Sequence, residues 1–322
     1  MSKFTNNKEI PITVAAWLLQ NNYDYISDPL YYSATELLKP VRATVLSRQM
    51  TQDDAEPLDI YTLVASALGN TVHDSLENVW KDGKYDKLSL LGYPKEVLDN
   101  IVVNPDPDDD TTGRTVVHVE QRHYKKVGKY TIGGKYDIVT DGVLQDYKTT
   151  SVWAWIKGGR EEEYRLQGSI YRFLSNHIIT HGTMKINMIF KDWSERAFVN
   201  AKEGEYPHSP VVEMDIELLS EKDTEKWIKN RLSLIEENSG LPQSKMIRCT
   251  DEELWRDDPI YQYFSKPTNT RASKNFKEHI EARAWLAEKG VGEIRIKEGE
   301  VKRCNYCSAA PICEQRLEYF TE

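Results

Sequence analysis

The chain has 322 residues, 39% of them hydrophobic and 29% charged, with a formal net charge of −9. That length can bury a substantial core and suggests about two domains, and no run approaches the roughly 18 apolar residues that a membrane-spanning helix needs. The acidic total excludes indiscriminate binding to nucleic acid, because phosphate contact depends on Lys and Arg.

In chain order, the start MSKFTNNKEIPITVAAWLLQNN holds a short apolar stretch with no small-residue cleavage site after it, so no secretory signal is read and a cytoplasmic location is expected. In SATELLKP, Ser33 and Glu36 are spaced for a capping box, and Pro40 ends or bends the segment. A long helix is expected over about 58–82, where Ile60, Leu63, Val64, Ala67, Leu68, Val72, Leu76 and Val79 follow the helical period and His73 falls at the edge of the stripe. NPDPDDDTTG, from Asn104, suits a solvated loop. Strands are expected in RTVVHVEQ, KYTIGGKYDIV and VLQDYKT, with RHYKKVGKY forming a basic, aromatic-containing hairpin. A helix over about 160–176 precedes the alternating strands TMKINMIF and VVEMDIEL. Ser220 then caps a helix with Trp227, Ile228, Arg231, Leu232 and Ile235 along one side. Helix, strands, helix, strands, helix is an α/β layer pattern.

Asp141-Gly142 is a strong hairpin signal, since a type I′ turn needs positive φ at both central positions. Thr140 then pairs with Val143, and counting outward sets Asp137 directly opposite Asp146, with Cβ atoms roughly 4.5–5.5 Å apart. Alternation puts Lys148 on the same face as Asp146. Like charges directly opposite each other destabilise a sheet. The pair therefore points to a divalent cation such as Mg²⁺, which takes one or two carboxylates plus water and phosphate oxygens; a solvated hairpin with scattered charge is the plain alternative.

Asp137, eight intervening residues, then Asp146-Tyr147-Lys148 resembles the signature of the PD-(D/E)XK nuclease superfamily, and GGKYD and QDYKT are similar to its RecB-like and phage exonuclease branch. GNTVHDSLE (69–77), HVE ending at Glu120, and YRLQGSIYRFL (164–174) resemble three further motifs of that branch, in the same chain order. The resemblance implies that Asp137 and Asp146 bind Mg²⁺ or Mn²⁺ with His73 and the Tyr147 carbonyl, that Lys148 orients or polarises the attacking water, and that Glu120, Gln167 and Tyr171 belong to the site. It implies a restriction-endonuclease-like α/β core, a central mixed sheet flanked by helices. Lys125, Lys126 and Lys129 of the basic hairpin are the expected DNA contacts, because local field outweighs net charge.

All four cysteines lie in the last third: Cys249, then Cys304, Cys307 and Cys313 in CNYCSAAPIC. Disulfides are disfavoured inside cells, so such a cluster points to metal binding or is incidental. The C-x2-C-x5-C spacing resembles the C-terminal cysteines of RecB-type nucleases with a 4Fe-4S cluster, including AddB-type and CRISPR-associated members. Those families draw their fourth cysteine from before the nuclease core, whereas Cys249 comes after it. Four thiolates suit iron-sulfur or tetrahedral Zn²⁺. A centre there would pin the strand-and-turn GEIRIKEGEVKRC to the segment near Cys249.

The expected organisation is an N-terminal helical segment (1–57), a nuclease core (58–240) and a cysteine-containing extension (241–322). The expected function is a metal-dependent DNA exonuclease of phage or bacterial recombination and repair, with a single-strand annealing protein as candidate partner and an oligomer as candidate state. Two alternatives are a non-catalytic DNA-binding or scaffold protein on the same fold and a sequence-specific endonuclease. The complete Asp, Asp, Lys set argues against the first, and the lack of a base-reading module against the second.

Overall fold

The computed structural model describes residues 3–20 and 26–320; residues 1–2 and 21–25, part of the expected N-terminal segment, lie outside the described residues, as do 321–322. The chain forms two compact units, one of residues up to Lys39 with Glu56–Leu232, the other of Pro40–Ala55 with Ser233 onward. Residues 40–55 therefore group with the C-terminal region, not with the N-terminal segment. Long-range polar contacts explain this: Arg42 bonds Gln243, Ser47 meets Ser308 at 2.7 Å, and Gln49 donates to the Ser239 carbonyl.

In the first unit, β1 (Phe4–Thr5) pairs in parallel with β3 (Leu58–Asp59), and α1 (Ile12–Leu18) lies between them in sequence. β2 (Tyr31–Ser33) runs into α2 (Ala34–Leu37), where Ser33 Oγ accepts the Glu36 N–H at 3.1 Å, as the capping spacing predicts. The single helix expected from 58 is shortened. Asp59 accepts from Thr5, Asn7 and Tyr61, which holds its neighbours in a strand and a 3₁₀ turn, so α4 begins at Val64 and ends at Lys81.

The chain continues through α5 (Lys95–Asp99), β4 (Ile101–Val103), β5 (Thr115–Val119), β6 (Arg122–Val127), β7 (Tyr130–Lys135), β8 (Ile138–Thr140) and β9 (Val143–Thr150). It ends this unit through α6 (Val152–Lys157), α7 (Glu161–Leu174), β10 (Thr183–Phe190), α8 (Glu195–Asn200), β11 (Val211–Glu217) and the first part of α9 (Glu221–Ser239). A six-stranded mixed sheet has the order β11-β10-β9-β8-β5-β4, and a smaller sheet the order β2-β7-β6. The protein is thus mixed α/β, as the layer pattern predicts.

The β8–β9 register is Thr140↔Val143, Val139↔Leu144 and Ile138↔Gln145. Directly opposed residues share a face, so Val117, Val119, Ile138 and Tyr147 fall together, and Trp80 of α4 packs against them. Leu144, Asp146, Met184 and Ile186 take the other face, toward α7. Gly168 allows that helix to approach: a Cβ there would lie 2.2 Å from Met184 Sδ.

In the second unit, α3 (Val41–Gln49) follows Pro40, and β12 (Ile260–Phe264) pairs antiparallel with β13 (Lys274–Phe276) and β14 (Glu293–Lys297). α10 (His279–Lys289) and α11 (Glu314–Leu317) complete it. Of these elements, the sequence pointed only to the strand at β14. No described helix is long and apolar enough to cross a membrane.

Candidate active site and cysteine-lined cavity

Asp146, on the α7 side of β9, is only 2% exposed. Lys148 lies two residues on, and its Nζ is 2.5 Å from Asp146 Oδ2. The contact is a close, buried ion pair. Lys148 also reaches Gln167 Oε1 at 3.4 Å, and Gln167 Nε2 donates to Tyr171 Oη at 3.1 Å. Both partners sit on α7 one turn apart, so Tyr171 holds Gln167, and Gln167 faces the lysine.

Asp137 departs from the expected geometry. The β8–β9 ladder ends at Ile138↔Gln145, so Asp137 and Asp146 are not a ladder pair. KYTIGGKYDIV is two strands rather than one: β7 belongs to the smaller sheet, β8 to the larger, and the chain bends between them at Tyr136 and Asp137. Released from the ladder, Asp137 Oδ2 accepts the Tyr147 N–H at 2.8 Å and lies 3.4 Å from His73 Nδ1 on α4. Tyr147 contributes this N–H, and its ring packs edge-on to His73 and into the core.

The electrostatics follow from burial. Desolvation drives the Asp146 carboxyl above its usual range; Lys148 opposes this and Asp137 adds to it. Burial works against charge on Lys148, but the Asp146 carboxylate outweighs it and holds the amine above its ordinary value. The hydrogen bond to Asp137 raises His73, against desolvation.

Glu120 follows β5 with φ of 52° and donates its N–H to the Asp137 carbonyl at 2.9 Å. Its carboxylate pairs with Lys135 and is raised first by burial, with Asp137 and Glu77 adding to the shift. His73, Glu77, Glu120, Asp137 and Tyr147 line one small pocket. Glu77 was not among the residues expected here; its signal was available, since it stands one helical turn after His73.

Among the described residues, no three His, Cys, Asp or Glu side chains close on one ion-sized centre. The donor chemistry nevertheless suits a hard divalent cation, because Mg²⁺ commonly takes one or two protein carboxylates and completes its shell with water and phosphate. Asp146 Oδ2, buried beside Lys148 Nζ, is the oxygen such a cation would share with the lysine.

The basic hairpin is β6–β7. Lys125 donates to the Phe173 carbonyl at 3.1 Å and to Glu221 at 3.2 Å, so its amine is held by α7 and α9. Lys126 is exposed, and so is Lys129 at the turn.

Known proteins add little to this geometry. No family model and no curated protein matches the chain. A solved structure titled "Crystal structure of SSO0001" aligns with 65% of this chain and 79% of its own, at 16% identity and a TM-score of 0.38.

The four cysteines of the second unit line one pocket. Side-chain amides assemble it. Gln243 accepts from Arg42 Nη2 and from the Glu314 N–H, and donates to the Ile312 carbonyl, which fixes the residues flanking Cys313. Gln315 accepts the Cys249 N–H at 2.9 Å and donates to the Cys249 carbonyl at 3.0 Å. Cys249, remote in sequence, is thereby clamped beside Cys313. Burial pushes the Cys249 thiol up to about 12, and Glu253, Cys313 and Cys307 add to the shift; burial also raises Cys304. Crowded thiols of this kind ionise only against positive charge, which a metal centre supplies.

Proposed function

We propose that the chain is a metal-dependent deoxyribonuclease of the PD-(D/E)XK type, acting as an intracellular exonuclease in recombination or repair. One observation carries the reading: Asp146, 2% exposed, is ion-paired to Lys148 and has a second carboxylate, Asp137, within its electrostatic reach. Two acids and a lysine gathered at a buried strand end cost stability, because each ion must be desolvated. They are the groups that phosphodiester hydrolysis uses.

Mg²⁺ or Mn²⁺ held by Asp137 and Asp146, with His73 beside them, would polarise the scissile phosphate and lower the pKa of the attacking water. Lys148 keeps its proton and offers a fixed positive charge to the phosphate oxygens as their charge develops. Gln167, braced by Tyr171, fixes the direction of that amine. His73 holds the Asp137 carboxylate from the α4 side. Glu120 positions the Asp137 backbone through its N–H. In the second unit, the same reading assigns a 4Fe-4S cluster to the four thiols, with Zn²⁺ as the alternative; its part is structural.

End-labelled single- and double-stranded DNA, incubated with Mg²⁺, Mn²⁺ or EDTA, tests the activity. Cleavage is expected with either cation, none with EDTA, and none with Asp146→Asn. An Asp146→Asn enzyme that cuts like the wild type would overturn the assignment.

A further inference from the structure

Besides its four thiols, the cysteine-lined pocket is lined by three arginines, Arg42, Arg303 and Arg316, and one carboxylate, Glu253. Arg42 enters it from α3, and Arg316 from α11. Arg42 is 3% exposed, a burial that a guanidinium tolerates only when its donors are satisfied or its charge is countered. Two of its nitrogens serve Gln243: Nη1 donates to the backbone carbonyl at 2.9 Å and Nη2 to the side-chain oxygen at 3.0 Å. The third, Nε, points at Cys313 Sγ from 3.5 Å. No carboxylate hydrogen-bonds to this guanidinium among the described residues; Glu318 acts on it only through space, and the acceptor that Nε faces is the Cys313 sulfur.

Arg316 lines the same pocket. Its Nη1 lies 3.5 Å from the Ala310 carbonyl and its plane lies over Phe320, while Nε is buried with no hydrogen-bond partner among the described residues. A buried donor left unmade costs about 1–3 kcal/mol. A donor placed so in a cavity wall marks where an acceptor is missing.

We propose that Arg42 and Arg316 form a cationic clamp on the sulfur-bound centre, donating hydrogen bonds to its sulfurs and countering its net negative charge. The inference rests on the iron-sulfur reading of the four cysteines. A cluster on four thiolates is an anion and becomes more so when it gains an electron. Charge and hydrogen bonds at the sulfurs set its reduction potential. The clamp therefore stabilises the reduced cluster more than the oxidised one, which raises the potential. Arg42 is a positioning and charge-compensating residue; the thiolates remain the ligands.

The test is a dithionite titration of anaerobically purified full-length protein, in which one electron enters the cluster and no bond forms or breaks. Wild type, Arg42→Lys, Arg42→Gln and Arg316→Gln are compared, with iron and sulfide measured on each. Arg42→Gln is expected to keep iron and sulfide while its reduction equilibrium weakens about tenfold, a fall of about 59 mV for one electron. Arg42→Lys keeps the charge but loses the planar fork, so its fall is smaller. Should Arg42→Gln fail to fold or load, Arg42→Lys and Arg316→Gln still provide the readout. Loaded variants that titrate at the wild-type potential, even with a lower melting temperature, would show that the arginines only brace the chain, and the proposal would fail. Wild-type protein without iron and sulfide would instead sink the iron-sulfur reading, and the clamp with it.

Discussion

Asp146 stands where no carboxylate would be placed for stability alone. Its acidity is set by a contest between burial and Lys148, so removing the lysine tests both chemistry and folding. Lys148→Ala is expected to lower metal-dependent cleavage roughly 10²–10³-fold, the usual loss for one group that stabilises transition-state charge. It also strips the buried carboxylate of its counter-ion, so the Asp146 carboxyl moves further up. A raised folded-state acid adds stability below its unfolded pKa and loses it as pH rises through the folded value. Melted in EDTA, the variant should therefore be markedly less stable than wild type at pH 8 and regain much of the difference as the pH falls toward 5. A destabilisation independent of pH would mean that Asp146 is not governed by Lys148. The ring of Tyr147 shows the same division of labour at one position: its N–H serves Asp137 and its side chain the core.

At the scale of elements, the β8–β9 hairpin depends on its turn. Asp141 and Gly142 have φ of 47° and 83°, and the Gly142 carbonyl accepts from both Thr180 and His181. A Cβ at Gly142 would lie 2.1 Å from Thr180 Oγ1. Gly142→Ala combines a left-handed alanine with that collision and should cost about 1–3 kcal/mol, read as a lower melting temperature. An unshifted melt would show that the turn adapts freely. The β6–β7 hairpin divides its lysines by role. Lys125 is tied to Phe173 and Glu221, so its loss should loosen the packing of α7. Lys126 and Lys129 face solvent, and replacing both with Ala should weaken DNA binding across sequences and flatten its salt dependence by about 0.9 per lost phosphate contact on duplex DNA. Anisotropy titrations at several salt concentrations measure this; an unchanged slope places the DNA path elsewhere.

For the whole molecule, the cysteine cavity is held by more than its thiols. The Lys302 and Arg303 N–H groups both bond the Leu254 carbonyl, the Asp257 N–H bonds the Glu300 carbonyl, and β12 pairs with β14. Backbone hydrogen bonds thus supply part of the pinning that a metal centre was expected to provide. If the four thiols hold the proposed iron-sulfur cluster, serine at Cys249, Cys304, Cys307 or Cys313 should abolish its colour and the iron and sulfide content. The loss of structure should be local. Hydrogen exchange is expected to speed over residues 304–320 and to stay slow in β12 and β14. Collapse of that sheet as well would mean that the cluster organises the entire unit.

The sequence by itself determined what depends on neighbours a few residues apart. Asp141-Gly142 needed only local sterics to make a turn, TMKINMIF alternates buried and half-buried through β10, and Gln167 and Tyr171 meet because one helical turn separates them. The pairing of Lys148 with Asp146 was legible in the same way, from the two-residue period of a strand. Tertiary structure decided the rest. Asp137 reaches His73 because the chain changes sheets at Tyr136, a choice made by strand partners in two different sheets and invisible in a run that looks like one strand. Glu77 joins the pocket because Trp80 of α4 packs against Val119 and Ile138. Arg42 meets a cysteine 271 residues away, and residues 40–55 leave the N-terminal segment to do so. Periodicity and spacing encode contacts within an element, whereas contacts of that range arise only when the burial of many distant side chains is settled together.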